Sequence, residues 1–239
     1  MSRSVAILTD QFNTCLRAVN LQTGQTSLYA GRCTVRGTSD GKLLSEARFY
    51  YPESLVLHKR DLYIADSGND AIRVIREGHD HVTTVAQGGM LHQVRRMRID
   101  QFSTNDVAYI TTNKGLLQLD LNTRTVKRLT HGSGLPGSLS ATESFVLGGL
   151  TFVTDSILFI TASWKNQLMV ADLARDKVIY ICDGKPDIRN GDIKTCSFKL
   201  PRSILVKSGL IYIGEYGTIR RFPFNAINHL IPPTDAIGK

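Results

Sequence analysis

The sequence lacks the features of a membrane-spanning or helical protein. No run of about 18 apolar residues is present, so no transmembrane helix is expected. The first residues, MSRSVAILTDQF, contain neither the apolar h-region nor the cleavage site of a signal peptide. Either the protein is not secreted, or the chain is a domain of a longer one. No long segment has the period of a helix, which leaves strands as the expected elements.

Signatures of common catalytic sites are missing as well. The chain has no GxSxG motif for a nucleophile elbow and no CxxC pair for a structural zinc site. The glycine-rich segment HGSGLPGS, from His131, lacks the lysine of a P-loop and is predicted to link two repeats. His79 and His81 flank Asp80, but solvated turn residues are the simpler interpretation. We therefore predict that the protein is not an enzyme and needs no cofactor or metal.

The chain carries an excess of positive charge. Its 239 residues include 29 Lys and Arg against 21 Asp and Glu, which gives a net charge of +8. Such an excess suits nucleic acid, acidic glycans or anionic membranes, and it also keeps a protein soluble. The basic residues are dispersed along the chain rather than gathered in one long run.

A hairpin is repeated five times along the chain. Leu62–Ile75, LYIADSGNDAIRVI, combines a strand, a polar turn and a second strand, since Gly and Asn tolerate positive φ. Similar segments begin at Ala6, Ala108, Leu158 and Ile211. The aligned core positions are spaced by about 50 residues, which is close to the period of propeller blades. They are Leu8, Ile64, Ile110, Ile160 and Ile213.

Each hairpin has a short apolar strand before it and another after it, so one repeat is a four-stranded meander of strands a, b, c and d. The expected fold is an all-β β-propeller of four-stranded antiparallel blades with five repeats visible, either five-bladed or part of a six-bladed ring. We expect one domain over 1–239. The C-terminal segment has only a weak candidate strand at Ile227–Ile231. Either this tail completes the first blade, or the chain is a piece of a larger propeller.

The links from strand d to the next strand a share a pattern. Phe49 lies three residues before Pro52, and Phe198 lies three residues before Pro201. We expect each Phe to plug the space between neighbouring blades. Proline suits the start of strand a because it has no amide donor.

The second repeat resembles an NHL repeat. The resemblance rests on YIADSGNDAIRVI, with ARFYYPESLVL before it and VTTVAQGG after it, and weaker matches span nearly the whole chain. It implies a β-propeller with about four strands per blade. The link pattern DG…ARFxxP is more similar to extracellular and bacterial NHL proteins than to the RNA-binding ones.

The resemblance also bears on the four cysteines. In similar proteins a Cys in the b–c turn often accompanies one just after strand d, and Cys15 and Cys33 have this placement. Cys182 and Cys196 can pair in the same way; the alternative is four free thiols. Two disulfides imply an extracellular or secretory-pathway domain, and reduced cysteines imply a cytoplasmic one.

Acidic residues after strand b have two interpretations. Asp10, Asp66 and Glu215 follow equivalent strands. In a lactonase-like propeller such oxygens bind calcium in the channel. In NHL repeats the Asp usually braces the b–c turn through backbone hydrogen bonds, and we favour this structural role.

Candidate binding residues lie in the b–c turns, which should all project on one face. They are Phe12, Asn13, Asn69, Lys114, Trp164, Lys165, Asn166 and Tyr216. Trp164, the one tryptophan, is the best candidate for an exposed anchor, and packing against the adjacent link is its alternative. Arg96 and Arg98 share one face of an inner strand, and Arg95 takes the other. These arginines either line the channel or pair with acids such as Asp100 and Asp106.

The leading hypothesis is a non-enzymatic propeller that binds a protein or glycan partner through its b–c and d–a loops. The first alternative is single-stranded RNA binding on a basic face, which the net charge of +8 favours. The second is a lyase or lactonase with a metal in the channel.

Overall fold

The structure is a computed structural model and describes residues 4–101, 104–129, 147–175, 177–191 and 195–223. The HGSGLPGS link and the candidate strand Ile227–Ile231 lie outside these ranges. Within them every regular element is a strand, apart from two short 3₁₀ helices. No helix of the described part is long and apolar enough to cross a membrane.

Five antiparallel sheets follow one another along the chain, one for each repeat. The first contains β1 (Val5–Asp10), β2 (Cys15–Asn20) and β3 (Thr26–Ala30). The second contains β4 (Gly41–Lys42), β5 (Pro52–His58), β6 (Asp61–Asp66), β7 (Ala71–Ile75) and β8 (His81–Gln87). The third contains β9 (Arg96–Ile99), β10 (Val107–Thr112), β11 (Gly115–Asp120) and β12 (Val126–Arg128). The fourth contains β13 (Leu147–Phe152), β14 (Ile157–Ala162), β15 (Gln167–Asp172) and β16 (Lys177–Ile181). The fifth contains β17 (Ser203–Lys207), β18 (Leu210–Glu215) and β19 (Thr218–Pro223).

The strands of each sheet are ordered as a meander, as the sequence predicts for a propeller blade. The third and fourth sheets have the expected four strands. The first has three among the described residues, and the second gains the two-residue strand β4 from the link before it. The fifth sheet has three strands within the described residues. The all-β prediction of repeated antiparallel blades is confirmed.

The predicted turn of the best-formed hairpin is confirmed as well. Strands β6 and β7 pair from Leu62 with Ile75 to Asp66 with Ala71. Between them Ser67–Asn69 forms a 3₁₀ helix, and Asp70 takes a left-handed conformation with φ of 50°. Asp and Asn reach this region more readily than other non-glycine residues, which explains why polar residues occur here.

Packing divides the chain into two compact units. The first unit is residues 1–113 with 117–128, and the second is residues 114–116 with 129–239. The first unit has one apolar core between its second and third sheets and another between its first and second sheets. The second unit has a core between its fourth and fifth sheets. The expectation of one domain over 1–239 stays a prediction.

The two link phenylalanines lie where the sequence predicts them. Phe49 is fully buried and packs among apolar side chains of the first and second sheets, including Leu16 and Ile64. Phe198 is 3% exposed and packs between the fourth and fifth sheets with Phe159 and Ile213. Each Phe thus joins two neighbouring sheets inside its own unit.

One predicted core position is wrong. Leu8 is 51% exposed, whereas Ile64, Ile110, Ile160 and Ile213 are fully buried. Strand β1 is the edge of a three-stranded sheet. Its alternate residue Ile7 turns to the core of the first unit, so the face with Leu8 is left outside.

Candidate functional site

A buried carboxylate fastens the link to the hairpin in the second sheet. Asp66 is fully buried at the end of β6. Its Oδ1 accepts the backbone N–H of Tyr50 at 2.8 Å, and its Oδ2 accepts the side-chain amide of Asn69 at 2.8 Å and Arg73 Nη1 at 3.0 Å. From the sequence, Asp66 is expected to brace the turn through backbone bonds. The backbone bond instead goes to the link, and the turn is held through Asn69.

Arg73, at 1% exposure, completes this arrangement. Its guanidinium donates to the Ser39 carbonyl at 2.9 Å and to Arg48 O at 3.3 Å, and it contacts Asp40 Oδ1 at 2.5 Å. It also lies 5.5 Å from the centre of the Phe49 ring. We call the pair of Asp66 and Arg73, together with its counterparts, the acid–arginine clamp.

The clamp recurs in the fifth sheet. Glu215 accepts the backbone N–H of Lys199 at 2.6 Å, and Arg220 contacts the Glu215 carboxylate. Arg220 lies 4.6 Å from the centre of the Phe198 ring and donates to the Arg189 carbonyl at 2.9 Å. In both copies the acid therefore binds the backbone N–H of the residue that follows the Phe packed between two sheets.

Three sheets carry the clamp and two do not. In the first sheet Arg17 contacts Asp10 at 2.7 Å. At the same strand positions the third sheet has Thr112 and Leu117, and the fourth has Ala162 and Met169. Within the described residues no three His, Cys, Asp or Glu side chains are placed to hold a metal ion.

Asp66 should make the stability of the fold depend on pH. Burial raises the pKa of its carboxyl from 3.8 to about 6, and the hydrogen bonds from Tyr50, Asn69 and Arg73 oppose the rise. The folded chain therefore binds this proton more tightly than the unfolded chain does. The contribution of Asp66 to the free energy of unfolding should fall as the pH rises from about 4 to about 6.

Urea unfolding of the wild type and of Asp66→Asn across this pH range measures the effect. The difference in stability between the two proteins should shift in favour of the variant as the pH rises, because Asn does not titrate. An unchanged difference across the range would contradict this role of Asp66.

A groove opens at the loop end of the first unit, meaning the end where its b–c turns and links lie. Its cavity volume is about 450 Å³. Phe12, Tyr50 and Tyr51 supply its aromatic lining. Phe12 is 83% exposed, with its ring edge-on to Tyr51 at a centroid distance of 6.1 Å. Tyr51 in turn lies 4.6 Å from Tyr50. A strongly exposed ring beside two others is a surface suited to contact with a partner.

Polar groups complete the groove. Asp70 accepts the backbone N–H of Gln93 at 2.7 Å and lies 3.3 Å from His92 Nδ1. Glu53 lies 3.8 Å from Arg95. Hydrogen-bonding side chains of positive and of negative charge thus lie next to aromatic rings. Sites that bind organic ligands or side chains combine such groups.

Two asparagines predicted to bind a partner have structural bonds. The Asn69 amide donates to Asp66 and to the Gly37 carbonyl, the latter at 2.6 Å. The Asn13 amide donates to Asp10 at 2.9 Å. These bonds hold the b–c turns in shape, and of the turn residues predicted to bind a partner only Phe12 lines the groove.

The arginines of the inner strand are partly paired. Arg96 contacts Glu53 at 3.1 Å, rather than the predicted partners Asp100 and Asp106. Asp106 instead pairs with His58 at 2.8 Å and with Lys59. Burial lowers the pKa of Arg98, and the neighbouring Arg96 charge lowers it further. Glu53 was missed because it lies on the neighbouring strand β5, more than 40 residues away in sequence.

The second unit presents a different surface at its loop end. The ammonium of Lys165 lies 4.7 Å from the centre of the Trp164 ring and 3.9 Å from that of Tyr180. The ammonium of Lys199 lies 5.3 Å from the centre of the Tyr216 ring. We call these five residues the lysine–aromatic surface.

Two contacts make this surface continuous. The Asn166 side-chain oxygen accepts the backbone N–H of Leu200 at 3.1 Å, and Ser163 Oγ contacts the Pro201 carbonyl. The turn that carries Trp164 therefore adjoins the link that carries Lys199.

Trp164 is half-buried rather than exposed, as the packing alternative predicts, whereas Tyr216 is 63% exposed. The predicted residue Lys114 is exposed in the turn between β10 and β11.

Both predicted cysteine pairs are bridged in the structure. Cys15 and Cys33 have a Cα–Cα distance of 5.0 Å, and Cys182 and Cys196 one of 4.7 Å. No cysteine is free. Cys15 is the first residue of β2, and Cys182 directly follows β16. Each of them is bridged to a cysteine in the adjoining link.

Solved structures of low sequence identity share this fold. The nidogen/laminin complex contains a chain that matches with a TM-score of 0.63 and 14% identity, over 93% of this chain and 72% of that chain. The extracellular domain of the putative one component system BT4673 from B. thetaiotaomicron matches with a TM-score of 0.62 and 15% identity, over 92% and 26%. An auxiliary nutrient binding protein from Bacteroides thetaiotaomicron matches with a TM-score of 0.62 and 12% identity, over 93% and 52%. The fold is a β-propeller fold. No protein-family model matches the chain, and no curated protein does.

Several residues at the loop ends of the two units were not predicted. Tyr51, Asp70 and His92 line the groove, and Arg73 and Arg220 complete the clamps. An arginine in a strand that is otherwise apolar was the available signal for both clamp arginines. The sequence placed b–c turns and d–a links on one face, but it did not indicate which link residues would meet which turn in the groove.

Proposed function

We propose that the protein is a non-enzymatic binding module that engages a protein or glycan partner through its loop end. The propeller supplies a rigid scaffold, and its loops supply specificity. Two of the similar structures support a binding role, one in a nidogen/laminin complex and one described as a nutrient binding protein.

The groove of the first unit carries this proposal. Phe12 leaves 83% of its surface in water at the mouth of a cavity lined by rings and charged groups. Covering such a ring with a partner would contribute roughly 1.5 to 3 kcal/mol. Phe12 is not part of the apolar cores of the first unit, so its ring is available for contact with a partner.

An extracellular location fits the same interpretation. Both disulfides require an oxidising compartment to form and persist. One similar structure is described as an extracellular domain. Partners should therefore be sought among secreted or cell-surface proteins and glycans.

Replacing Phe12 by alanine should abolish most of the binding without unfolding the protein. We expect a loss of affinity of about tenfold or more, because the ring is the apolar anchor of the groove. The measurement is binding of the purified protein to arrays of defined glycans and of extracellular proteins, followed by titration of each hit.

Leu21→Ala is the matched control. Leu21 is 61% exposed in the c–d turn, at the other end of the same sheet. Its loss should change neither the hits nor their affinities. Equal binding by Phe12→Ala and the wild type at every hit would overturn the assignment of the groove.

A further inference from the structure

We propose that the lysine–aromatic surface of the second unit is a second binding site, and that it takes a sulfated or carboxylated polysaccharide. This site is separate from the groove of the first unit and uses none of its residues. It rests on the placement of Lys165 and Lys199, on the charges around them, and on the exposed ring of Tyr216.

Aromatic rings hold the two lysines in place. Lys165 contacts the rings of Trp164 and Tyr180, and Lys199 contacts that of Tyr216. A ring attracts an ammonium through its quadrupole and orients it, but does not neutralise it. Among residues 147–175, 177–191 and 195–223, neither ammonium is in an ion pair. Each lysine can therefore contact an anion with little further loss of side-chain freedom.

The surrounding charges strengthen the positive potential. Lys185 and Arg202 are exposed in the adjoining links. The nearby acids Asp183 and Asp187 are both in contact with Arg189, at 3.2 and 3.6 Å. Glu215 is buried against Arg220, so its charge is matched inside the unit. Among the described residues of this loop end, Arg189 offsets one of the two charges of Asp183 and Asp187, and the cations outnumber the acids.

The exposed apolar groups favour a polysaccharide over a bare ion. Tyr216 is 63% exposed and Leu200 is 39% exposed beside Lys199. The C–H faces of pyranose rings pack on aromatic side chains, while sulfate or carboxylate groups meet ammonium groups. One surface therefore satisfies both parts of an acidic sugar. Disulfides such as these two form and persist in oxidising compartments, which include the cell exterior where such polysaccharides occur.

Titration with a heparin oligosaccharide tests the proposal. Dextran is the uncharged control. Polyglutamate and single-stranded oligouridine are polyanions of other classes for comparison. The variant is Lys165→Ala with Lys199→Ala. Its control is Lys177→Ala with Lys207→Ala, which removes the same charge from exposed lysines at the opposite end of the fourth and fifth sheets. Thermal unfolding of both double variants shows whether each one is folded.

We expect the heparin oligosaccharide to bind the wild type and the control alike, and dextran not to bind. The Lys165 and Lys199 variant should bind about tenfold more weakly or worse, since it loses two charge-assisted contacts. Its affinity should also depend less on salt between about 0.05 and 0.3 M. Arginine at both positions should retain most of the affinity, because the charge is kept.

Three results would overturn the proposal. The first is an equal loss in both double variants, which would show attraction by net charge alone. The second is tighter binding of oligouridine or polyglutamate than of the heparin oligosaccharide. The third is no binding of heparin to the wild type. The loss of groove ligands in Phe12→Ala and the loss of heparin in the Lys165 and Lys199 variant are separate readouts, so the two sites succeed or fail separately.

Discussion

Arg73→Ala should lower the free energy of unfolding by about 3 to 5 kcal/mol. Arg73 is 1% exposed and contacts the fully buried Asp66 at 3.0 Å. Its loss would leave that carboxylate without its counter-charge and would remove the donors to the Ser39 and Arg48 carbonyls. The Phe49 ring would also lose the group that packs above it. Chemical denaturation of the purified variant measures the change.

Arg76→Ala is the control for this experiment. Arg76 is 51% exposed and its ion pair with Asp61 lies at the surface, so its removal should cost less than about 1 kcal/mol. A second variant combines Asp66→Ala with Arg73→Met, which are the residues that the fourth sheet has at these two positions. It should be more stable than Arg73→Ala, because no buried charge is left unpaired. Similar small losses from Arg73→Ala and Arg76→Ala would contradict the role of the clamp.

Removing either disulfide should cost about 3 kcal/mol. The bridges join residues 18 and 14 positions apart, and each restricts the unfolded chain by a similar amount. The variants are Cys15→Ala with Cys33→Ala, and Cys182→Ala with Cys196→Ala. Alanine is used because Cys15 is fully buried, and it leaves no unpaired hydroxyl there.

Two measurements check the disulfides. Thiol counting on the denatured, non-reduced protein should find no free thiol, and the denaturation midpoint of the wild type should fall when a reductant is added. In a variant with all four cysteines replaced by alanine, the denaturation midpoint should not change when the reductant is added. Four free thiols in protein made in an oxidising compartment would contradict both bridges.

The hairpins could be predicted from sequence because their information is local. Leu62 to Ile75 combines alternating apolar residues with a turn of Ser, Gly, Asn and Asp, and each of these preferences acts over a few residues. The repeat of about 50 residues then indicated the propeller. Phe49 and Phe198 were predicted in the core because they recur at the same distance from a proline.

The candidate sites could be predicted only in part, because they depend on contacts between distant segments. Asp66 was predicted to brace its own turn, and its bond to Tyr50 spans 16 residues. The groove joins Phe12 to Tyr51 and His92, which no local pattern connects. Trp164 was favoured as an exposed anchor, yet its half-buried ring supports Lys165. A single aromatic in a turn does not reveal whether its neighbour will cover it.

The distribution of the clamp among the five sheets has a consequence for how the repeats diverged. Where the acid is absent, at Thr112 and Ala162, the arginine is absent too, and Leu117 and Met169 stand in its place. A lineage that changed one partner first would have passed through a buried, uncompensated charge. Ancestral forms on that path needed either a stabilising background or a nearly simultaneous second substitution. Descendant sequences should therefore gain or lose the two residues together, as one inherited trait.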